Sequence, residues 1–423
     1  MSFEASIDYA RRRDAEDPLA DFRARFELPR GEPTPIYLCG HSLGLMPRAA
    51  RERVAEELDD WARLGVRGHE EARRAWIPYH ERFAEGLALL AGARTDEVVA
   101  MNSLTVNLHL MLASFYRPTD ARRKVLIEAG AFPSDRHALV SQMLWHGLDP
   151  REDLVELAPV AGEDAISSEQ IEEYLAIRGE EVALVLWPGT QYLTGQVFDL
   201  ARIAAAAHRA GAIAGFDLAH SIGNVPLALH DAEADFAVWC SYKYLNAGPG
   251  AIGGCFVHDR HARAGLPRLA GWWGHDPATR FRMGPLFQAA PGAPGWQVSN
   301  PPILSAAPLL ASLELFREAG PARLRAKSVA LTGFLSFLLQ PLKPRVLTPE
   351  PASARGCQLS LRTGGGGERG RTVLQALNAA GVVCDWREPD VIRLAPVPFY
   401  NTFEEVFRFA QTLAHALTAH PGG

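Results

Sequence analysis

Between residues 124 and 257 short apolar runs alternate with helical stretches, and this alternation constrains the fold more than any other feature of the chain. Lys124-Val125-Leu126-Ile127 and Val182-Ala183-Leu184-Val185-Leu186-Trp187 are almost wholly apolar, as are 212–217, 236–240 and 253–257, while 200–210 is alanine-rich and helical in character. A strand with one wet face alternates apolar and polar residues. A strand covered on both faces does not, and parallel sheets crossed by helices are covered on both faces. The pattern therefore predicts an α/β fold with a mostly parallel sheet. Before it, the first ~30 residues read as helical, Pro33-Thr34-Pro35 breaks them, 36–38 is extended, and 48–64 and 76–90 read as amphipathic helices. After Pro301-Pro302 the texture changes: helices over 304–319 and 322–339, a strand at 358–361, a glycine loop at 364–367, a helix over 371–380, strands near Val382 and Ile392, and a last helix over 403–417. The expected units are an N-terminal segment (1–60) joining a small domain, a large domain (61–305) and a C-terminal small α+β domain (306–423).

Composition excludes several classes. A net charge of −6 with a pI near 6.2 disfavours a nucleic-acid partner, and Arg11-Arg12-Arg13 is answered at once by Asp14, Glu16 and Asp17. The five cysteines show no CxxC spacing, so neither a metal site nor a disulfide framework is expected, and a reducing cytoplasm suits them. No basic stretch followed by an apolar core opens the chain, so no signal peptide is expected. The longest apolar stretch, 328–340, carries polar residues and stops at Pro341, short of the ~18 residues that suggest a membrane span.

Only four of the 43 basic residues are lysine, and Lys243 stands in Ser241-Tyr242-Lys243-Tyr244-Leu245-Asn246 ahead of Gly248-Pro249-Gly250. Arginine cannot deprotonate. A desolvated lysine can, and it then forms Schiff bases, although a lysine stem packed on aromatics with its head in water is the plainer alternative. Asp217, 26 residues upstream, closes a strand, where ligands of open α/β sheets bind. It either caps a turn or holds the protonated ring nitrogen of a cofactor such as pyridoxal phosphate (PLP), and His220 between the two residues favours the cofactor. Gly248-Pro249-Gly250-Ala251-Ile252-Gly253 matches GxGxxG, but a strand-like Cys255-Phe256-Val257 follows where the dinucleotide motif needs a helix. Asn102-Ser103-Leu104-Thr105 precedes an apolar helix and serves either as a cap or as a phosphate seat. Phe132 is a turn aromatic or a stacking platform. Aromatics and amides gather at Trp272-Trp273-Gly274-His275 and Trp296–Asn300. Arg393, among apolar strand residues, requires an anion: a ligand carboxylate or a structural salt bridge.

Taken in order, these segments resemble the kynureninase family of PLP-dependent fold type I enzymes. The resemblance runs from Tyr37-Leu38-Cys39-Gly40 through Met101–Asn107, Phe132-Pro133-Ser134-Asp135-Arg136, Thr194-Gly195-Gln196, Phe216–Ser221, Ser241–Asn246, Gly271–His275 and Val298–Pro302 to Pro396-Val397-Pro398. It implies a seven-stranded-type sheet, PLP, a homodimer whose sites are shared, and hydrolysis of kynurenine or 3-hydroxykynurenine. It also implies roles. Lys243, Tyr242 and Asp217 are catalytic. Leu104, Thr105, Phe132, Ser134, Asp135, Thr194, His220, Trp272 and Asn300 hold the cofactor with them. Ser42, His69, His275, Asn300 and Arg393 face the substrate. One departure is His41-Ser42-Leu43-Gly44, where the family usually has Asn in place of His41. Two rivals remain at this level: another fold type I enzyme (desulfurase or aminotransferase), or a non-catalytic PLP-binding regulator.

Overall fold

The computed structural model describes residues 3–262 and 264–420; Met1 and Ser2 of the N-terminal segment lie outside them, as do Arg263 and the last three residues. Among the described residues the main sheet has seven strands: β1 (Val98–Ala100), β2 (Lys124–Glu128), β3 (Leu154–Leu157), β4 (Val182–Pro188), β5 (Ile213–Asp217), β6 (Phe236–Trp239) and β7 (Gly254–Val257). Their spatial order is β1-β7-β6-β5-β4-β2-β3. β2 to β6 pair in parallel, and only β7 runs against its neighbours. Apolar runs lacking alternation thus became strands buried on both faces, as the physics of a covered parallel sheet requires.

The small domain carries an antiparallel sheet of β8 (Arg345–Val346), β9 (Leu359–Arg362), β10 (Asp385–Arg387) and β11 (Val391–Leu394), in the order β10-β11-β9-β8. Its core joins Tyr9 and Ala10 from the N-terminal helix to Leu331, Phe334, Leu361, Ile392 and Phe403. Leu19, Phe22, Phe26 and Leu45 belong instead to the large core, so the N-terminal segment bridges the two. Helix Ile303–Ala319 also buries its apolar face in the large core, through Leu309, Leu313 and Phe316, and lies along helix Arg48–Leu64. The changeover between cores therefore falls on the next helix, Pro321–Leu339, between Leu324 and Ala330 rather than near 305. Gly320, at φ +77°, separates the two helices.

Three local differences from the pattern have simple causes. Residues 76–90 form a 3₁₀ turn (Tyr79–Phe83) and then helix Ala84–Ala91, because Pro78 prevents a helix from running through. The glycine loop shortens, since helix Gly366–Ala379 starts inside it. The 102–107 segment opens helix Leu104–Phe115, but Ser103 makes no side-chain cap. As expected, β7 and not a helix follows Gly248–Gly253. No described helix is long and apolar enough to cross a membrane.

Strand pairing carries the 39–44 segment towards the site. Ile36–Tyr37 pairs in parallel with Val382–Val383, and Cys39 bridges Ala395. The chain then crosses onto the large domain, where the Gly44 N–H donates to Tyr242 O at 2.8 Å.

Candidate active site

A cavity opens at the carboxyl ends of β2, β4 and β5, where Glu128, Pro188 and Asp217 line it. Leu104 and Thr105 enter from the start of one helix, and Phe132, Ser134 and Asp135 from the start of another, Pro133–Trp145. Tyr242 and Lys243 close it from the loop after β6. That loop is tightly folded. Asn246 adopts φ +52°, and a Cβ on Gly44 would come within 2.3 Å of Lys243 O and Asn246 Oδ1, so only glycine lets the two segments touch.

Lys243 Nζ lies 3.0 Å from His220 Nε2, 5.8 Å from the Phe132 ring centroid and 5.9 Å from that of Tyr242. Burial, with the Lys243 charge second, holds His220 well below the usual histidine range. The ring is therefore neutral, Nε2 faces Lys243 Nζ as acceptor, and the proton sits on Nδ1, which has no hydrogen-bond partner among the described residues. Three carboxyl groups share the floor. Burial raises Asp135 well above the carboxylate range, and the adjacent Asp217, to which it hydrogen-bonds, raises it further. Burial pushes Glu128 up to about 8, although Gln191 donates to it at 3.3 Å. Beside these two, Asp217 accepts from Ala219 N–H at 2.6 Å. Burial also raises the Tyr242 phenol, which stays protonated.

At the helix entrances Thr105 Oγ1 and Ser134 Oγ are 2.7 Å apart. Two hydroxyls at uncapped N–H groups form a seat for a phosphate, and a buried carboxylate opposite an amine suits a protonated ring with an aldehyde. The donor set thus fits PLP.

Other expected residues lie elsewhere. Thr194 is held by Gln191 and takes a hydrogen bond from Thr348 Oγ1 on its carbonyl; it lines a separate cleft. The threonine that joins Thr105 in the cavity is Thr190, bonded to Ser221 Oγ at 2.8 Å. Its position two residues beyond β4, whose last residue Pro188 pairs with Asp217 at the end of β5, was the available signal. Trp272 is half exposed, with its indole N–H on Arg280 O, and Asn300 is exposed. His69 is exposed against the edge of Trp76, and His275 is held by Thr279 Oγ1 at 2.9 Å. Ser42, part-buried, turns back on Cys39 O through its N–H. None of these five lines the cavity of a single chain. Arg393 is buried and its anion is internal: Nε donates to Asp385 Oδ1 at 2.7 Å, Nη2 to Asp385 Oδ2, and Nη1 to Tyr192 O at 2.7 Å. Glu128 and Tyr192 had not stood out in the sequence.

Comparison with known proteins bears on this geometry. The chain is 57% identical over 402 residues to a kynureninase of Xanthomonas euvesicatoria, covering 94% of this chain and 95% of that one. It is 56% identical over 418 residues to the kynureninase of Myxococcus xanthus, covering 97% of each. Residues 324–413 match the kynureninase C-terminal domain model. The chain belongs to the kynureninase family. Solved structures share the fold with other members of its class. A cystine C-S lyase in complex with cysteine persulfide superposes with a TM-score of 0.75 at 19% identity, covering 90% of this chain and 97% of that one. A cysteine desulfurase from Escherichia coli gives 0.74 at 19% identity, covering 95% and 99%. The kynureninase match and this fold together confirm the α/β architecture that the strand pattern predicted and the fold type I class that the family resemblance implied.

Proposed function

We propose that this member of the kynureninase family uses PLP to hydrolyse the Cβ–Cγ bond of L-kynurenine, or of its 3-hydroxy form, giving anthranilate or 3-hydroxyanthranilate and L-alanine. The observation that carries the reading is the opposition, in one cavity, of the Lys243 amine and the buried Asp217 carboxylate. Bound there, PLP supplies an electron sink that lets the α-proton leave and the Cβ–Cγ bond part.

The chain's own residues do the rest. Lys243 Nζ anchors the cofactor and, once displaced by the substrate amine, moves the α-proton; neutral His220 keeps that nitrogen aimed. Asp217 holds the proton on the ring nitrogen, because Asp135 and Glu128 are already protonated and do not compete. Phe132 covers a ring face, with Thr190 nearby, and Leu104, Thr105 and Ser134 seat the phosphate. Water adds its oxygen to the ketone carbon, which leaves as the aryl carboxylate. The bonding pair stays on Cβ, which takes a proton, with the Tyr242 phenol as donor, and becomes the methyl group of alanine. Arg393 receives the substrate carboxylate once Asp385 shares it, and Arg387 Nη2, 3.1 Å from Asp385 Oδ2, is the alternative partner that permits this. Ser42, His69, His275 and Asn300 serve the aryl end, and Trp272 and Asn300 reach the cofactor from a second copy in a homodimer. The free, buried cysteines support a cytoplasmic location, and they leave no exposed thiol for desulfurase chemistry.

The test is incubation of PLP-loaded protein with L-kynurenine and, separately, 3-hydroxykynurenine, followed by chromatography of aryl product and alanine. Equal amounts of the two are expected, with turnover abolished in Lys243→Ala. Near-normal turnover in that variant, or amino transfer to an added 2-oxo acid in place of cleavage, would overturn the reading.

A further inference from the structure

At the end of the sheet opposite the cavity, Glu97, His230, His258 and Asp259 each bring one donor atom within 4.8 Å of the others. The topology assembles them. Glu97 enters β1, while His258 and Asp259 leave β7; β1 and β7 are antiparallel, with Val98 beside Phe256, so entry and exit share one edge. β7 also runs against β6, which places this edge at the amino ends of the parallel strands, away from Lys243. His230 is brought in by the turn before β6, whose backbone is tied to Ala91 O and Gly92 O.

The contacts converge on lone pairs. His230 Nδ1 is 2.9 Å and His258 Nδ1 3.7 Å from Glu97 Oε1, and His258 Nδ1 is 2.9 Å from Asp259 Oδ1. The two imidazoles lie nearly parallel, 4.9 Å apart at 17°. His258 Nδ1 accepts the Arg260 N–H at 3.2 Å, so this nitrogen carries a lone pair and not a proton. Arg94 Nη1 holds Asp259 Oδ2 at 2.8 Å and Arg94 N–H holds Glu97 Oε2 at 2.9 Å, while the inner Glu97 Oε1 accepts the Asp259 N–H at 2.9 Å. Glu97 is fully buried, whereas the His230 and Asp259 side chains are about a third exposed, which gives the group both a rigid base and an entrance. The other group of this kind, Cys39, His41 and Asp385, is answered by the Arg393 guanidinium on both carboxylate oxygens and has no room for a cation.

We infer that Glu97, His230, His258 and Asp259 form a binding site for a zinc-class divalent cation that clips the β1 entry, the β7 exit and the 229–230 turn together. Two imidazoles and two carboxylates offer an N₂O₂ set suited to tetrahedral zinc. Binding replaces the Arg260 N–H at His258 Nδ1 and places the His230 proton on Nε2. The site is structural, because it lies at the far end of the sheet from the chemistry. This departs from the sequence reading, in which no metal site was expected.

The test titrates ZnCl₂ into EDTA-stripped, PLP-loaded protein by calorimetry, for the wild type, His230→Ala and Asp259→Asn, and repeats it with Co²⁺ by visible absorption. The wild type should bind one ion per chain at this site, melt at a higher temperature with zinc, and give the intense d–d bands of tetrahedral cobalt. Each variant should bind at least about tenfold more weakly and lose those bands, while kynurenine turnover stays unchanged. No saturable binding by the wild type, or equal affinity in all three proteins, would overturn the inference and leave the cluster as a set of histidine–carboxylate hydrogen bonds.

Discussion

Arg393 already holds a carboxylate of the protein where a substrate carboxylate is expected. Asp385 orients the guanidinium along its Nε–Nη2 edge and fixes it against Tyr192, a residue of the cavity wall. Removing one member of a buried pair leaves the other uncompensated, at a cost of about 3 kcal/mol or more. Asp385→Ala should therefore lower stability by that order and raise KM for kynurenine about tenfold with a smaller change in kcat, measured by thermal melting and steady-state kinetics. An unchanged KM would mean that Arg393 has no part in binding the substrate carboxylate. His41 lies 3.2 Å from the same Asp385, and burial, with Arg393 second, lowers it to about 4. Its unfolded value is near 6.5, so from pH 6.5 down to 4 the unfolded chain takes up a proton that the folded chain refuses. His41 thus contributes stability that is complete above pH 6.5 and lost as pH falls towards 4, at about 1.4 kcal/mol per pH unit. Glu128 acts in the opposite sense between about 8 and its ordinary value, so the signature is a difference between proteins rather than an absolute slope. His41→Asn, which restores the family's usual residue, should lose less melting temperature than the wild type between pH 6.5 and 4.5. Parallel pH profiles for the two would show that the imidazole ionises freely in the folded protein.

Strands and helices explain which parts of the site could be read early. The covered strands β4 to β7 were legible because a run with no polar face has one stable home, and Asp217 was legible because it ends such a run. Helix Arg48–Leu64 matched its predicted bounds because its apolar positions recur at helical spacing. The strands β1 and β3 and the helix Pro133–Trp145 were missed: β1 is three residues long, β3 is only part-buried and interrupted by Glu156, and the helix has little segregation of apolar from polar residues. Lys243, Tyr242, Phe132, Asp135 and the 104–105 pair meet in one cavity, since each sits near a strand end or helix start that the sheet order aligns. The roles of Glu128, Thr190 and Asp385 were not legible. Their significance comes from neighbours that are remote in sequence, such as Gln191 for Glu128 and Arg393 for Asp385, and no local pattern encodes those pairings. Thr194 illustrates the reverse. Its segment matched the family, but the turn after β4 directs Thr190 into the cavity and Thr194 onto Thr348.

For the whole molecule, the decisive question is why residues implied by the family stand outside the cavity of one chain. Trp272 and Asn300 lie in a long connection, with Phe281, Met283, Leu286 and Phe287 of the same connection also exposed. A second apolar surface runs along Leu43, Met46, Val54, Leu58, Pro249 and Pro308, beside the lysine loop. Monomers rarely leave such contiguous apolar surface in water, and a two-fold dimer presents the same patches to each other. If the connection of one copy reaches the cavity of the other, two crippled chains can complement. Lys243→Ala lacks the amine but carries a normal 271–300 connection; Asn300→Ala carries the amine but lacks the amide. Coexpressed as a mixed dimer, they form one site with both groups intact and one with neither. Random pairing puts half of the dimers in that state, so activity should return to about a quarter of the wild-type value from two proteins that are each nearly inactive alone. Recovery no greater than the sum of the two variants would place Lys243 and Asn300 in sites built by a single chain, or remove Asn300 from the site altogether.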